Sequence, residues 1–290
     1  MFWDDGERDD IDLEIYPPDP KTQEVKRILF NEFRENPRKV YYQRQLEVRH
    51  EKGYYHWLTD RALKELGDEE KIRVSFHQIR VGEYSDRLKI MTIYSNRYFR
   101  RAATKVAELV EEYCSPDITQ DVGLFAQEMF KVAYARYGYK LVKEDVKDFN
   151  GKTWGKSKKN LDFVIEKSGR FFGCEVKNKL GYIDKDELDE KIEMCIFFGI
   201  IPIFIMRYSP TVWNDEVFKN GGFVQIFETQ IFSPGRRKLV NRLKEELGLP
   251  VLSSERIPDS IMERIDNVIK KRVFEKEKCE KGKKFTGEKQ

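Results

Sequence analysis

The sequence predicts an α/β (α+β) chain of two domains, with helices and a hairpin first and a helix–strand alternation afterwards. Three observations support this prediction. The chain has 290 residues, about twice the length of one ordinary domain. Apolar residues make up 40% of it, which is enough to form hydrophobic cores. Runs with helical spacing alternate with short β-like runs through the second half, which favours a sheet flanked by helices.

Composition excludes several classes of protein. The longest apolar run, Cys195–Met206, is interrupted by Gly199 and Pro202 and is shorter than the ~20 residues of a membrane helix. No basic and apolar leader opens the sequence, so we expect a cytoplasmic protein without membrane contact. The four cysteines show no metal-ligand spacing, and the three histidines form no recognisable triad. Carboxylates and lysines are therefore the favoured carriers of any chemistry.

The charge is unevenly distributed. Residues 1–20 contain eight acids and one arginine, although the whole chain has a net charge of +3. A basic body with an acidic arm suits a polyanion binder whose arm covers its own basic groove, while a solvated tail is the commoner explanation. We predict a flexible acidic arm over 1–20. Alternating Lys and Glu without apolar spacing predict a disordered tail over 275–290.

Residues 21–96 predict three helices and a hairpin. Apolar spacing indicates a first helix capped by Thr22, a second over Tyr42–His50 and a third over Tyr54–Leu66. Two β-like runs follow, Ile72–Phe76 and Leu88–Tyr94, with a tip near Gly82.

This order resembles a winged helix-turn-helix domain, in which the third helix enters the major groove and the wing contacts the backbone. The resemblance implies a set of DNA-contacting residues on that helix and wing: Tyr55, His56, Thr59, Lys64 and Arg87. Binding to a protein is the alternative, since Asp60 and Glu65 weaken the case for phosphate contact.

An amphipathic helix over Tyr98–Tyr113 predicts a connector spanning 97–115, and the second domain is expected over 116–274. Its predicted elements, in order, are a helix over Thr119–Tyr137, a strand from Tyr139, strands over Asn160–Ile165 and Phe171–Lys177, a helix over Lys185–Phe198 and a buried strand over Pro202–Met206. A further helix and strand are expected before 232, and helices over 235–248 and 258–274.

Acidic residues and one lysine converge in this pattern. Glu175 and Lys177 lie two apart on one strand and share a face, and Asp162 lies on the neighbouring strand. Glu128 comes from the preceding helix, on which Gln120, Asp121 and Gln127 are nearby polar alternatives. Carboxylates hold Mg²⁺ while leaving it waters, which is what phosphodiester hydrolysis needs. The alternative is a surface ion pair worth ~0–1 kcal/mol, but the apolar neighbours of Glu175 argue against it.

One pattern resembles the motif of the PD-(D/E)xK nuclease superfamily: Asp162 is followed, after twelve residues, by Glu175-Val-Lys177. The match covers about 118–208, with Leu161 where the family has Pro. The resemblance implies a restriction-endonuclease-like αβββαβ domain with a mixed central sheet. It implies that Asp162, Glu175 and the Val176 carbonyl bind Mg²⁺, for which Mn²⁺ can substitute. Glu128 would be an auxiliary ligand and Lys177 the catalytic lysine.

A lysine-rich segment precedes Asp162. Residues 147–159 contain five lysines and one acid, with a tryptophan that could stack on a base. The residues predicted to contact nucleic acid are Lys152, Trp154, Lys156, Lys158 and Lys159, together with Lys179 on the catalytic strand's continuation. A plain surface hairpin is the alternative.

The sequence thus predicts a metal-dependent endonuclease that cuts DNA, most simply double-stranded DNA, with a winged-helix domain for binding. Because one such site cuts one strand, cutting both strands suggests a homodimer. A restriction-like or defence role and a repair or junction role both stay open. The rival prediction is a DNA-binding regulatory or scaffold protein with a non-cleaving nuclease-like fold.

Overall fold

The computed structural model describes residues 19–275. The acidic arm before Asp19 and the tail after Glu275 lie outside the described residues. The helices are α1 (Pro20–Glu35), α2 (Gln43–His50), α3 (His56–Asp68), α4 (Arg100–Tyr113), α5 (Pro116–Arg136), α6 (Lys185–Phe198), α7 (Thr211–Lys219), α8 (Arg237–Leu247) and α9 (Asp259–Ile269). The strands are β1 (Tyr41–Tyr42), β2 (Ile72–Val81), β3 (Tyr84–Ile93), β4 (Lys140–Val146), β5 (Asp148–Phe149), β6 (Lys152–Thr153), β7 (Leu161–Lys167), β8 (Arg170–Lys177), β9 (Ile201–Met206), β10 (Phe223–Ile226), β11 (Gln230–Phe232) and β12 (Val251–Ser253).

The chain divides into two compact units. The first comprises the described residues up to Gln120 together with Lys238–Leu249, and the second comprises Asp121–Arg237 and the described residues from Pro250. The sequence boundary therefore differs from the structure, because α4 belongs inside the first unit and most of α8 returns to it. Within that unit the Gln45 amide donates to the Leu247 carbonyl at 2.7 Å. Such a long-range contact leaves no local signal in the sequence.

Helices and a small sheet build the first unit. Its strands pair in the order β1-β3-β2, all antiparallel. Apolar residues of α1 and α3 form its core with the sheet, among them Val25, Leu29, Leu66 and Met91. Helix α1 begins one turn earlier than predicted: the Asp19 carboxylate, rather than Thr22, caps it and also accepts a hydrogen bond from the Thr22 hydroxyl at 2.9 Å.

The β2–β3 hairpin is longer than the sequence predicts. Pairing continues from Ile72↔Ile93 as far as Val81↔Tyr84, and Gly82, at φ +66°, makes the turn. The outer half of this ribbon is largely exposed, so its residues need no apolar alternation. Backbone pairing continues beyond the apolar runs, and a cross-strand hydrogen bond from the Ser85 hydroxyl to Gln78 at 2.7 Å lies in the same outer half.

A mixed five-stranded sheet forms the centre of the second unit, which confirms the predicted α/β class. The strand order is β10-β9-β8-β7-β4. The pairs β4–β7 and β7–β8 are antiparallel, whereas the pairs β8–β9 and β9–β10 are parallel. The elements α5, β4, β7, β8, α6 and β9 follow one another in the predicted order.

Buried side chains cover both faces of this sheet. One cluster joins α5 and α9 to the sheet through residues such as Phe130, Phe172 and Ile265. Another joins α6 to the opposite face through Leu161, Met194 and Phe198. Gly199 closes α6 in the left-handed conformation, as the sequence predicts. Within residues 19–275, no helix is both long enough and apolar enough to cross a membrane.

Candidate active site

The candidate site forms where β7 and β8 separate. Their backbone pairing runs from Lys167↔Arg170 to Phe163↔Cys174 and goes no further. Beyond the last pair, Asp162 Oδ2 accepts a hydrogen bond from the Val176 N–H at 2.6 Å. A side-chain carboxylate thus takes the place of the missing strand partner, which brings Asp162 against the segment that carries Glu175 and Lys177.

Glu175 is the buried centre of a cluster of charges. Its side chain lies on β8 and the residue is 1% exposed. The Lys177 ammonium lies 2.7 Å from Oε1, and the Lys191 ammonium lies 2.7 Å from Oε2. Lys177 also contacts Glu187 Oε1 at 2.8 Å. Glu187 and Lys191 are one turn apart on α6 and so present their side chains to the same strand.

The pKa values reveal how these charges are balanced. Burial, and next the neighbouring Glu175 carboxylate, raise the pKa of Asp162 to about 7. Burial opposes the charge of Lys177, but the carboxylates of Glu175 and Glu187 raise the pKa of its ammonium. Lys177 in turn lowers the pKa of Glu187 against the effect of burial. Three acids therefore face two lysines, and near neutral pH Asp162 carries only part of its negative charge.

Helix α5 contributes a different residue from the one predicted. The Gln127 amide donates to Asp162 Oδ1 at 2.8 Å. Glu128, the predicted auxiliary ligand, pairs with Lys131, and its side chain is 64% exposed. Adjacent helical residues point about 100° apart, so only one of the two can face Asp162. The structure thus brings Asp162, Glu175 and Lys177 together and leaves Glu128 outside the cluster.

The lysine-rich segment packs on α6 rather than standing free. Asn150 and Gly151, both at positive φ, make the turn between β5 and β6. Trp154 is 2% exposed, and its indole N–H donates to Glu190 at 3.3 Å. The prediction that Trp154 stacks on a base is therefore wrong for this structure, because the ring belongs to the hydrophobic core with Phe198.

The lysines of this segment are exposed. Lys152 donates to the Phe197 carbonyl at 2.6 Å, Lys156 pairs with Glu193, and Lys159 lies 3.0 Å from Glu190. Lys158 is also exposed, while Lys179 is partly buried. Exposed pairs of this kind contribute ~0–1 kcal/mol, so these lysines can exchange their partners for phosphates at little cost.

Two of the predicted DNA contacts in the first unit are buried. Thr59 is fully buried in α3, and His56 is buried with Nε2 3.2 Å from Glu51. The prediction that Thr59 and His56 contact DNA is therefore wrong for this structure, because both residues lie in the interior of the unit. Lys64 and Arg87 are exposed, the latter over the Phe76 ring, and Tyr55 stacks on Trp57 at 4.2 Å. The helical spacing predicted helix α3 but placed Thr59 and His56 on its exposed face, where the structure has them buried.

Sequence reasoning missed Glu187 and Lys191, and on α5 it preferred Glu128 to the polar neighbour Gln127. One signal for Lys191 exists: it falls in the buried stripe of α6 between Leu188 and Cys195. A lysine at such a position needs an acid partner, since lysine is almost never buried unpaired. Which acid it meets depends on the sheet, so the sequence alone could not have supplied Glu175.

The donor set determines whether a divalent cation fits. Within residues 19–275, no group of three or more His, Cys, Asp or Glu side chains is arranged to hold a metal. The oxygens available are two carboxylates, Asp162 and Glu175, and the Val176 carbonyl. Mg²⁺ is commonly held by one or two carboxylates with waters completing its shell. Burial is the main cause of the raised pKa of Asp162, and the Glu175 carboxylate is the second. A cation between the two carboxylates would relieve their repulsion, so these residues fit such an ion.

Comparison with protein-family models, with curated proteins and with solved structures finds no match to this chain.

Proposed function

We propose that this protein is a metal-dependent endonuclease that hydrolyses DNA phosphodiester bonds. The observation that carries the proposal is the meeting of Asp162, Glu175 and Lys177 where β7 and β8 separate, with the Lys177 ammonium 2.7 Å from the buried Glu175 carboxylate. A carboxylate whose pKa is raised by burial and by a neighbouring charge is a candidate functional group.

The topology supports the same proposal. The order α5, β4, β7, β8, α6 and β9 and the mixed sheet agree with the αβββαβ core implied by the resemblance to the PD-(D/E)xK superfamily. The first unit, with three helices and a hairpin, agrees with a winged helix. We propose that its exposed Lys64 and Arg87 contact the DNA backbone, and that cutting both strands requires a homodimer.

The residues would divide the work as follows. Asp162, Glu175 and the Val176 carbonyl would hold the divalent cation, Mg²⁺ or Mn²⁺. When bound, that ion would lower the pKa of a coordinated water molecule and neutralise negative charge on the phosphate. Lys177, whose side chain is 21% exposed, reaches solvent and can stabilise charge that develops on the phosphate oxygens. Gln127 orients Asp162 through Oδ1, and Glu187 holds Lys177 at the site.

A plasmid assay tests the proposal. Supercoiled DNA is incubated with the protein in Mg²⁺, Mn²⁺ or EDTA, and nicked and linear products are measured. We expect metal-dependent cutting that falls at least about 100-fold in Glu175→Ala and Lys177→Ala. Asp266→Ala and Lys167→Ala are matched controls, because they break another buried acid–lysine pair of the same unit, 2.6 Å apart, away from the site. Folded controls should still cut.

One observation favours the rival function, a DNA-binding protein without cleavage: both oxygens of Glu175 already face lysines. DNA binding without cutting of plasmid, junction, flap or single-stranded DNA would favour that rival. Binding that is insensitive to salt would instead indicate a protein partner for the first unit.

A further inference from the structure

Lys191 is a buried lysine at the centre of the candidate site. The residue is 4% exposed, and its ammonium contacts Glu175 Oε2 at 2.7 Å and the Asn160 backbone carbonyl. Its neighbours on the same face of α6, Leu188 and Cys195, are buried and have no charge. Replacing a buried ion pair by well-packed apolar residues is often neutral or stabilising, so stability alone does not explain a lysine here.

The two contacts of Lys191 join the strands that carry the acids. Asn160 immediately precedes β7, and Glu175 lies on β8. Backbone pairing between these strands has already stopped at Phe163↔Cys174. Lys191 therefore bridges β8 and the residue before β7 from the side of α6. The Val176 N–H donates to Asp162 in the same region.

The two lysines of the site differ in access. The side chain of Lys177 is 21% exposed, whereas that of Lys191 is 5% exposed. Lys177 can meet a substrate phosphate, and Lys191 cannot do so without α6 moving. The ammonium of Lys191 contacts Oε2 of Glu175, and Oε1 of the same carboxylate faces Lys177.

We propose that Lys191 is a positioning residue of this site, which holds the Glu175 carboxylate in the orientation used for catalysis. The cleavage measurement that tests this inference rests on the proposed nuclease function, whereas the expected position of the Glu175 side chain does not. Removing the ammonium frees Glu175 to change rotamer, and misplacing a catalytic group by about 1 Å can cost about 100-fold in rate.

The test compares Lys191→Met with Lys167→Met. Lys167 makes the same kind of bridge, between Asp266 at 2.6 Å and the Tyr137 carbonyl at 2.8 Å. Two readouts are taken from each variant: kcat and KM for plasmid cleavage, and the position of Glu175 in a crystal structure. We expect Lys191→Met to lower kcat about 10- to 100-fold with KM nearly unchanged. Glu175 should leave its present position in this variant only.

Each outcome is decisive. If Lys191→Met cuts as well as Lys167→Met and keeps Glu175 in place, the positioning role is overturned. If the wild type cuts nothing but Glu175 still moves in Lys191→Met, the proposed function fails while the positioning role stands. Should Lys191→Met not fold, Lys191→Gln keeps a donor for the Asn160 carbonyl without the charge and carries the same comparison. Partial recovery of kcat in Lys191→Arg would support the role further.

Discussion

The two ends of β7 carry buried clusters of acids and lysines with opposite electrostatics. At one end, Asp266 accepts from Lys167 at 2.6 Å and from the Tyr139 hydroxyl at 3.1 Å, and Lys270 lies 2.6 Å away. Although burial opposes it, these donors keep the pKa of Asp266 below its usual value. At the other end, burial and Glu175 raise the pKa of Asp162 to about 7.

Burial raises the pKa of both carboxyls, and the neighbouring charges decide whether that effect is reinforced or outweighed. Asp266 is one acid that faces two ammonium groups and a hydroxyl, so its negative charge is fully compensated. Asp162, Glu175 and Glu187 are three acids that face Lys177 and Lys191. The first arrangement compensates the charge of its one acid, whereas in the second the Glu175 carboxylate adds to the effect of burial and leaves Asp162 partly protonated near neutral pH. Residue types alone therefore do not separate the two clusters, whereas the balance of their charges does.

The largest expected effect on stability lies at the compensated end. Asp266→Ala leaves the largely buried Lys167 without its acid, which should lower the free energy of unfolding by about 2–4 kcal/mol. Urea unfolding at pH 7 measures this loss. The control is Asp148→Ala, which removes an exposed partner of Lys143 and should cost less than about 1 kcal/mol. Equal losses in both variants would show that the Asp266 cluster is not structural.

The pH dependence at the other end should have the opposite sign. The pKa of Asp162 is raised in the folded state, so between about pH 4 and 7 the folded state holds a proton that the unfolded state has lost. Stability from this group therefore falls as the pH rises through that window. Asp162→Asn removes this titration. Its free energy of unfolding, relative to that of the wild type, should therefore rise by about 2–3 kcal/mol between pH 5 and pH 8.

Unfolding in urea across that range checks the pH prediction. The matched variant is Asp266→Asn, whose folded-state pKa is lowered. Its cost should be constant above about pH 4 and shrink only at lower pH, as the wild-type carboxylate becomes protonated. A flat difference between Asp162→Asn and wild type from pH 5 to pH 8 would contradict the raised pKa of Asp162.

The smallest effects separate two adjacent residues of α5. Gln127→Leu removes the hydrogen bond to Asp162 and should lower cleavage about tenfold, the equivalent of one modest hydrogen bond. Glu128→Ala removes only an exposed contact to Lys131 and should leave cleavage within about twofold of wild type. Single-turnover rates on plasmid DNA measure both. The reverse ranking would restore Glu128 as the auxiliary ligand predicted from the sequence.

Much of the fold was predictable because its signals are local. Helix α6 was predicted over its observed range, since its acidic start and Gly199 both lie within the segment itself. The hairpin β2–β3 was predicted too short, because its outer half carries no apolar alternation. The return of α8 to the first unit was not predictable, since it depends on contacts with residues about 200 positions away.

The candidate site shows the same division between local and long-range information. The sequence by itself determined that Asp162, Glu175 and Lys177 share neighbouring strands, because a strand repeats every two residues and the spacing fixes which side chains share a face. Only the tertiary structure decided that Gln127 rather than Glu128 faces Asp162, that Trp154 is buried, and that Lys191 reaches Glu175. The rotation of a helix about its axis and its docking on a sheet are set by the packing of the whole core, which no local spacing encodes.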